Sequence, residues 1–305
     1  MLSHLIAAAR TRAVRRLWLI SDLQQSVPAR AEDCMTRAVR DFLSLDMPVD
    51  AVCYLGDSVE GHDLARIQAM TAMQIRELAK IPAPVYYVPG NHDFDFYRHA
   101  QPGRMAIPFM KEVKQHPQWR LAPSMADLSF TADFGAFAVV FLPDHADPAG
   151  AWYTSHGVVH GDRHAYPYTY DDWRDLAAAI GRMGKPVITM SHYNLPGGNR
   201  EAPLYGYLLP PPKNLLLHIY GHAHIGDKEW AGVNCHRKLC GVDGYPLVQA
   251  NIASLESYRG NAIRSAILEY YDDGSAGLYF RNHSLLRWDD AYVTSAKGDA
   301  YVPTV

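Results

Sequence analysis

Five times in this chain a short apolar run stops on a cluster of Asp, Asn, Gly or His. That repeated edge constrains the fold more than any other feature. Residues 17–20 (Leu-Trp-Leu-Ile) run into Ser21-Asp22, and residues 49–55 end in Gly56-Asp57. Val85–Val88 ends in Pro89-Gly90-Asn91-His92-Asp93. Residues 186–190 end in Ser191-His192-Tyr193-Asn194, and Leu215–Tyr220 in Gly221-His222-Ala223-His224. Apolar runs this short, bounded by turn residues, read as buried strands. Between the first three lie two helix-like segments. In residues 31–45, Cys34, Ala38, Phe42 and Leu45 recur at helical spacing while Arg37, Arg40 and Asp41 face away. Residues 64–79 are rich in Ala, Met, Gln and Leu. Strands alternating with helices predict a parallel sheet with covering helices, and ligands of such sheets sit beyond the carboxyl ends of the strands. The polar clusters stand at that place.

The rest of the chain is less regular. Residues 94–185 show one strand pattern (137–142) and one helix pattern (171–180) among many Pro, Tyr, Trp and His residues. Later apolar runs near Leu247-Val248, 266–271 and 278–280 read as further strands, and the polar segment after Trp288 as a peripheral tail. No internal repeat or low-complexity linker divides the chain. The expected organisation is an N-terminal extension over 1–16, a single domain over 17–288 with a substrate-shaping insertion around 94–185, and a tail over 289–305.

Composition narrows the function classes. With 305 residues, 48% hydrophobic and 20% charged, the chain is not disordered, collagenous or coiled-coil. A formal charge of -3 provides no strong field towards nucleic acid or an anionic membrane, and neither partner is expected. No run approaches the ~20 apolar residues of a membrane-spanning helix. The first ten residues and Arg12, Arg15 and Arg16 lack the order of a secretory signal and read as a plain helix or extension, with an organelle presequence as the alternative. Four cysteines do not form a disulfide framework. Cys34 and Cys53 read as small core residues, and Cys235-His236 with Cys240 match no common zinc spacing. A reducing, cytoplasmic setting fits.

The strand ends deliver Asp22, Asp57, Asn91, His192, His222 and His224. Carboxylate, amide oxygen and imidazole suit manganese, iron, zinc or magnesium. So many donors are too many for one catalytic ion but suit two, and a carboxylate can bridge a pair. Alone, Asp22 would read as a turn or cap residue, and His222 with His224 as core or ligand in equal measure.

In order along the chain, Asp22-x-Gln24, Gly56-Asp57, Gly90-Asn91-His92-Asp93, Ser191-His192 and Gly221-His222-Ala223-His224 resemble the motifs of the calcineurin-like metallophosphoesterases. The resemblance spans 22–224 and rests most on the third and fifth motifs. It implies an αββα sandwich, an α/β fold with two central mixed sheets and flanking helices. It implies that Asp22 and His224 hold a first metal, that Asp57 bridges, and that Asn91, His192 and His222 hold a second. His92 matches the family's catalytic histidine, which donates a proton to the leaving oxygen or a hydrogen bond to the phosphoryl group. Glu60, three residues after the bridging Asp, stands where an acid orients that histidine, one methylene longer than the usual Asp.

Gln24 departs from the family's usual Asp-x-His. Its carbonyl oxygen can still ligate, and exchanging imidazole for amide hardens the site towards manganese or magnesium. Asp-x-Gln and the run 90–96 (Gly-Asn-His-Asp-Phe-Asp-Phe) are locally similar to the manganese-dependent ADP-ribose/CDP-alcohol diphosphatase branch. Purple acid phosphatases fit poorly, because no Tyr follows Gly56-Asp57 at their ligand position. Two divalent ions with Asp22, Asp57 and a bridging hydroxide would leave a net charge of about +1, attractive to a phosphoester.

Other residues weigh less. His62, His99, His145, His156, His160 and His164 match no ligand position. The aromatics Trp152, Tyr153, Tyr166, Tyr168, Tyr170 and Trp173 read as a packed cap, with nucleobase stacking as the alternative. Arg98, Arg163 and Arg200 are solvated surface or contacts for a second phosphate. Asp95 and Asp227 orient ligands or cap turns.

The resulting expectation is a binuclear metal-dependent phosphoric ester hydrolase with manganese in both sites, and iron, zinc or magnesium as alternatives. It would cleave a phosphodiester or diphosphate bond of a small substrate, nucleotide-like ones included, by attack of a hydroxide bridging the metals. Phosphomonoester hydrolysis is the alternative. The rival from another class is a non-catalytic metal-binding scaffold; such relatives lose ligands or the catalytic histidine, which this chain retains.

Overall fold

The structure is a computed structural model. It describes residues 13–25, 27–60, 64–90, 92–94, 108–123, 129–142, 145–146, 152–153, 170–194, 211–227, 234–239, 242–257, 259–294 and 300–303. Among these, no helix is long and apolar enough to cross a membrane.

Two mixed sheets carry the molecule. In the first, β1 (Ala13–Ile20), β2 (Ala51–Leu55), β3 (Val85–Val88) and β4 (Trp119–Arg120) are parallel neighbours. The second contains β5 (Phe130–Asp133), β6 (Ala138–Leu142), β9 (Val187–Ser191), β10 (Leu215–Tyr220), β11 (Cys235–His236) and β14 (Val248–Asn251). Its order is β11-β14-β10-β9-β6-β5, with β14, β10, β9 and β6 parallel and the two edges antiparallel. Two short ribbons pair β7 (His145–Ala146) with β8 (Trp152–Tyr153), and β12 (Lys238–Leu239) with β13 (Val242–Asp243). The remaining strands, β15 (Arg264–Tyr271), β16 (Ala276–Asn282), β17 (Arg287–Thr294) and β18 (Ala300–Pro303), extend the first sheet antiparallel from β1.

Strand alternation sorts the core into two layers. Leu17, Leu19, Cys53 and Leu55 point one way, and meet Val139, Phe141, Ile188, Met190, Leu217 and Ile219 of the second sheet. Trp18, Ile20, Val52, Tyr54 and Tyr87 point the other way, towards α1 (Pro28–Ser44) and α2 (Leu64–Leu78). Each fully buried apolar side chain contributes ~1.5–3 kcal/mol, so both faces of β1 and β2 are committed and the register is locked. Helix α1 starts three residues before the expected 31, because Pro28 at its first turn is already set for helical φ. Its Phe42 stacks on Trp18 with ring centroids 4.4 Å apart. Cys34 and Cys53 are core residues, as expected. The helices α3 (Pro108–Val113) and α4 (Tyr170–Gly181) lie in the less regular middle of the chain.

Four expectations are corrected. Asp41 does not face away: it is 5% exposed and lies on the same stripe as Cys34 and Ala38. Both its oxygens accept from Arg281 at 2.8 Å, and Oδ2 also pairs with His283 Nδ1 at 2.7 Å. Residues 289–294 are no peripheral tail. Strand β17 pairs along β16, and Asp289 is buried because Arg264 Nε and Asn282 Nδ2 donate to it at 2.7 and 2.9 Å. Residues 13–16 belong to β1 and not to an extension, held by Arg16 Nε on Glu269 at 2.7 Å. The span 94–185 is not wholly an insertion, since it supplies β4 to one sheet and β5 and β6 to the other.

Candidate metal centre

The carboxyl ends of β1, β2 and β3 in one sheet and of β9 and β10 in the other meet at one place. Backbone bonds knit the turns: Asp22 N donates to Gly56 O at 3.0 Å, Gln24 N to Asp57 O at 2.9 Å, and Gly221 N to His192 O at 3.0 Å. The turns are sharp. Asp22, Asp57, His222 and His224 have φ of 57°, 52°, 63° and 45°, the left-handed region that non-glycine residues rarely enter and that collects at functional sites. Close approach requires glycine at two neighbours. A Cβ on Gly90 would strike Asp57 Oδ1 and His192 Cδ2, and one on Gly221 would strike Ser21 Oγ and Asp22 Oδ2.

The donors gather into two groups. Asp22, Asp57 and His224 offer atoms within 4.8 Å of one another, and so do Asp57, His192 and His222. Asp57 belongs to both. Gln24 joins the first group, its amide nitrogen 3.2 Å from Asp57 Oδ2 and 3.0 Å from His224 Nε2. Asn91 lies outside the described residues, as do Asp95, Arg98, Arg163, Arg200, Tyr166, Tyr168, Cys240 and His62, His99, His156, His160 and His164. Trp152, Tyr153, Tyr170, Trp173 and His145 are described in backbone only.

The donor set fits cations. Gln24 Oε1 and His222 Nδ1 are buried and make no hydrogen bond, a costly state unless something else satisfies them; Asp22 Oδ1 lies 3.1 Å from His224 Nε2. His192 Nδ1 is 2.7 Å from Leu55 O; the carbonyl can only accept, so Nδ1 carries a proton, and Nε2 faces the shared carboxylate, 3.2 Å from Asp57 Oδ2. Burial, with His192 next to it, lowers the His222 pKa to about 4. Burial also opposes charge on His224, but Asp22 and Glu256 outweigh it and raise that imidazole to about 9. Burial alone would raise the carboxyls; the surrounding histidines, His224 for Asp22 and His192 for Asp57, hold both below their ordinary range.

His92 stands at the rim. Its backbone N donates to Asp57 Oδ1 at 2.8 Å, which ties the β3 turn to the shared carboxylate. Its Nδ1 is 3.9 Å from Glu60 Oε1, an ion-pair distance and longer than a hydrogen bond. Among the described residues Asp227 pairs with Arg264 and accepts from Ala262 N at 3.2 Å, tying the His224 loop to β15.

Three supporting residues escaped the sequence reading. Asp93 accepts from Gly90 N at 2.7 Å, Asp57 N at 2.9 Å, and Ser58 N and Oγ at 2.9 and 2.6 Å, clamping two turns together. Burial, and then the Asp57 charge, raise its carboxyl to about 6. Its place inside Gly-Asn-His-Asp was the available signal. His218 accepts from Thr189 Oγ1 at 2.9 Å and donates Nε2–H to Tyr193 O at 3.0 Å, bracing the turn that carries His192. Glu256 lies 2.8 Å from His224 Nδ1. No spacing from the motifs marks either.

The model of the calcineurin-like phosphoesterase family matches residues 15–226. The chain is a calcineurin-like phosphoesterase. The match covers the five strand ends and the donors they carry. None of the curated protein sequences compared with this phosphoesterase matches it. Among solved structures it is similar to a dimetal phosphatase from Danio rerio, with TM-score 0.59 and 13% identity over 96% of this chain and 100% of that one. It is also similar to a purple acid phosphatase from yellow lupin seeds, with TM-score 0.58 and 12% identity over 94% of this chain and 54% of that one. It thus spans about half of the lupin chain. At these identities the likeness is one of fold. Two mixed sheets with outer helices are the architecture that the motifs implied, and the family implies two divalent ions at such a site.

Proposed function

We propose that this phosphoesterase hydrolyses a phosphodiester or diphosphate bond in a small, nucleotide-like substrate at a two-manganese site. Asp22, Gln24, Asp57 and His224 would hold one ion, and Asp57, Asn91, His192 and His222 the other. The observation that carries the reading is Asp57, fully buried and common to both donor groups. When bound, two such ions lower the pKa of water and offset charge on the phosphoryl oxygens.

The chain's own residues supply the rest. Gln24 needs only a half-turn about its terminal amide to bring its oxygen to where the nitrogen now touches Asp57 and His224; O and N of an amide are interchangeable in shape. With Asn91, that gives an oxygen-rich set favouring manganese over zinc. His92, 27% exposed at the side chain, can reach a substrate and give its proton to the leaving oxygen as the P–O bond breaks. Glu60 lies on the Nδ1 side of that ring and would tighten onto it when the ring is charged. The choice of a diphosphate or diester over a monoester rests on Gln24 and on the 90–96 run.

The test is turnover by metal-stripped protein with manganese restored, on bis(p-nitrophenyl) phosphate, p-nitrophenyl phosphate and ADP-ribose in parallel. Manganese-dependent cleavage of the first or third, abolished in Asn91→Ala and His222→Ala, is the expected result. Preference for p-nitrophenyl phosphate would replace the diester reading by a monoesterase. Two ions bound with no turnover on any substrate would favour a scaffold.

A further inference from the structure

The three histidines of the site are supported in three different ways. His192 gives its Nδ1 proton to a neutral carbonyl, Leu55 O, at 2.7 Å. His222 Nδ1 makes no hydrogen bond. His224 turns its Nδ1 to a carboxylate: Nδ1 is 2.8 Å from Glu256 Oε1, while its Nε2 points at Asp22 Oδ1, 3.1 Å away, and at the Gln24 amide, 3.0 Å away. Glu256 is 0% exposed and is tied to the same turn twice over, since its N donates to Asp22 O and Leu255 N to Ser21 O, both at 2.9 Å. Arg259 Nε, 3.7 Å from Glu256 Oε1, partly offsets its buried charge. A buried carboxylate costs several kcal/mol unless its charge is used or matched.

We propose that Glu256 is a positioning residue that sets the metal affinity of the Asp22–Gln24–Asp57–His224 group, and of that group alone. This rests on the metal-centre reading above. The physical case has two parts. A carboxylate accepting Nδ1–H fixes the tautomer that leaves Nε2 free, and its charge strengthens Nε2 as a donor. Gln24, with an amide in place of an imidazole, is the weakest donor of that group, so the group depends on its one histidine. In the second group His192 has a backbone carbonyl at Nδ1, and His222 Nδ1 has no hydrogen-bond partner among the described residues, so that group should be indifferent to Glu256.

The test is a manganese titration of the full-length, metal-stripped protein by calorimetry, with free ion followed by electron paramagnetic resonance. Wild type should bind two ions. Glu256→Ala should weaken one site about 10–100-fold and leave the other unchanged. Glu256→Gln keeps shape and an acceptor oxygen but not the charge, and should weaken the same site by less. Chemical unfolding of the metal-free proteins separates a purely structural role, which would lower stability and leave both affinities native. Unchanged affinities, or equal weakening of both sites, in either folded variant would overturn the proposal. A wild type binding fewer than two ions would overturn the metal-centre reading and this inference with it. Independently of any variant, imidazole 15N shifts of zinc-saturated wild type should show His224 protonated at Nδ1; ligation through Nδ1 would overturn it.

Discussion

Two clusters of buried carboxylate and imidazole lie among the described residues of this phosphoesterase, and they are built to opposite rules. In one, Asp41 takes Arg281 with both oxygens and His283 with Oδ2; His283 Nε2 is 2.7 Å from Ser265 Oγ, which in turn accepts from Trp18 Nε1 at 2.8 Å. Ser265, His283 and Asp41 thus have the spacing of a nucleophile, a base and an orienting acid. All three are sealed, at 0%, 3% and 5% exposure, and each polar atom has a partner. Nothing there is left to bind. In the other cluster, Gln24 and His222 keep orphaned atoms, and Asp22, Asp57, His222 and His224 sit at strained positive φ. The first network closes on itself and holds α1 to the first sheet. The second brings two groups of donor atoms within 4.8 Å of one another and leaves some of them without a hydrogen bond. Satisfaction, more than residue type, separates a structural charge network from a site.

Substitutions should divide along the same line. Asp57→Asn should reduce kcat/KM by well over ~100-fold, since outer partners of metal ligands alone cost ~10–100-fold; unfolding of the metal-free protein should change little. A large loss of metal-free stability would show that the open cluster is structural after all. Asp41→Ala should do the reverse, costing ~3–5 kcal/mol of folding stability by stranding Arg281, while the folded fraction binds two manganese ions normally. Denaturant unfolding and metal stoichiometry would check both halves.

Manganese at ~100 times its dissociation constant should add ~2.7 kcal/mol of stability per site to wild type. It should add as much to Asp41→Ala and about one site less to His222→Ala, as thermal shifts would show. The smallest effect is in acid. The Asp41 carboxyl is raised by burial, but the bonds from Arg281 and His283 bring it down to about 2, below its ordinary 3.8. A depressed acid stabilises the fold above the unfolded value, and that contribution is lost as pH falls from 3.8 through about 2. Asp41→Asn should therefore flatten the unfolding midpoint against pH in that window. An unaltered acid limb would mean other groups dominate it.

Much of this was legible before any coordinates. The strand ends at 20, 55, 88 and 220 stand at or within a residue of where the apolar runs stop, because a buried strand needs an unbroken apolar run and a turn needs Gly, Asp or Asn. Asp22, Asp57, His192, His222 and His224 were visible because their residue types recur at those edges. Asp41 was misjudged because helical periodicity reads charge as exposure, and its partner stands 240 positions away. The polar run of β17 hid a strand for a similar reason: Asp289 looks solvated until Arg264 is seen beside it.

The sequence by itself determined the parallel α/β core, the order of the strand ends and the list of donor atoms. These depend on local periodicity and side-chain chemistry, which a chain carries wherever it goes. Only the tertiary structure decided which donors lie together and which carboxylates are already satisfied. It alone showed that Glu256 stands behind His224 and Asp93 under Asp57. A buried charge takes its meaning from what faces it, and what faces it comes from another part of the chain.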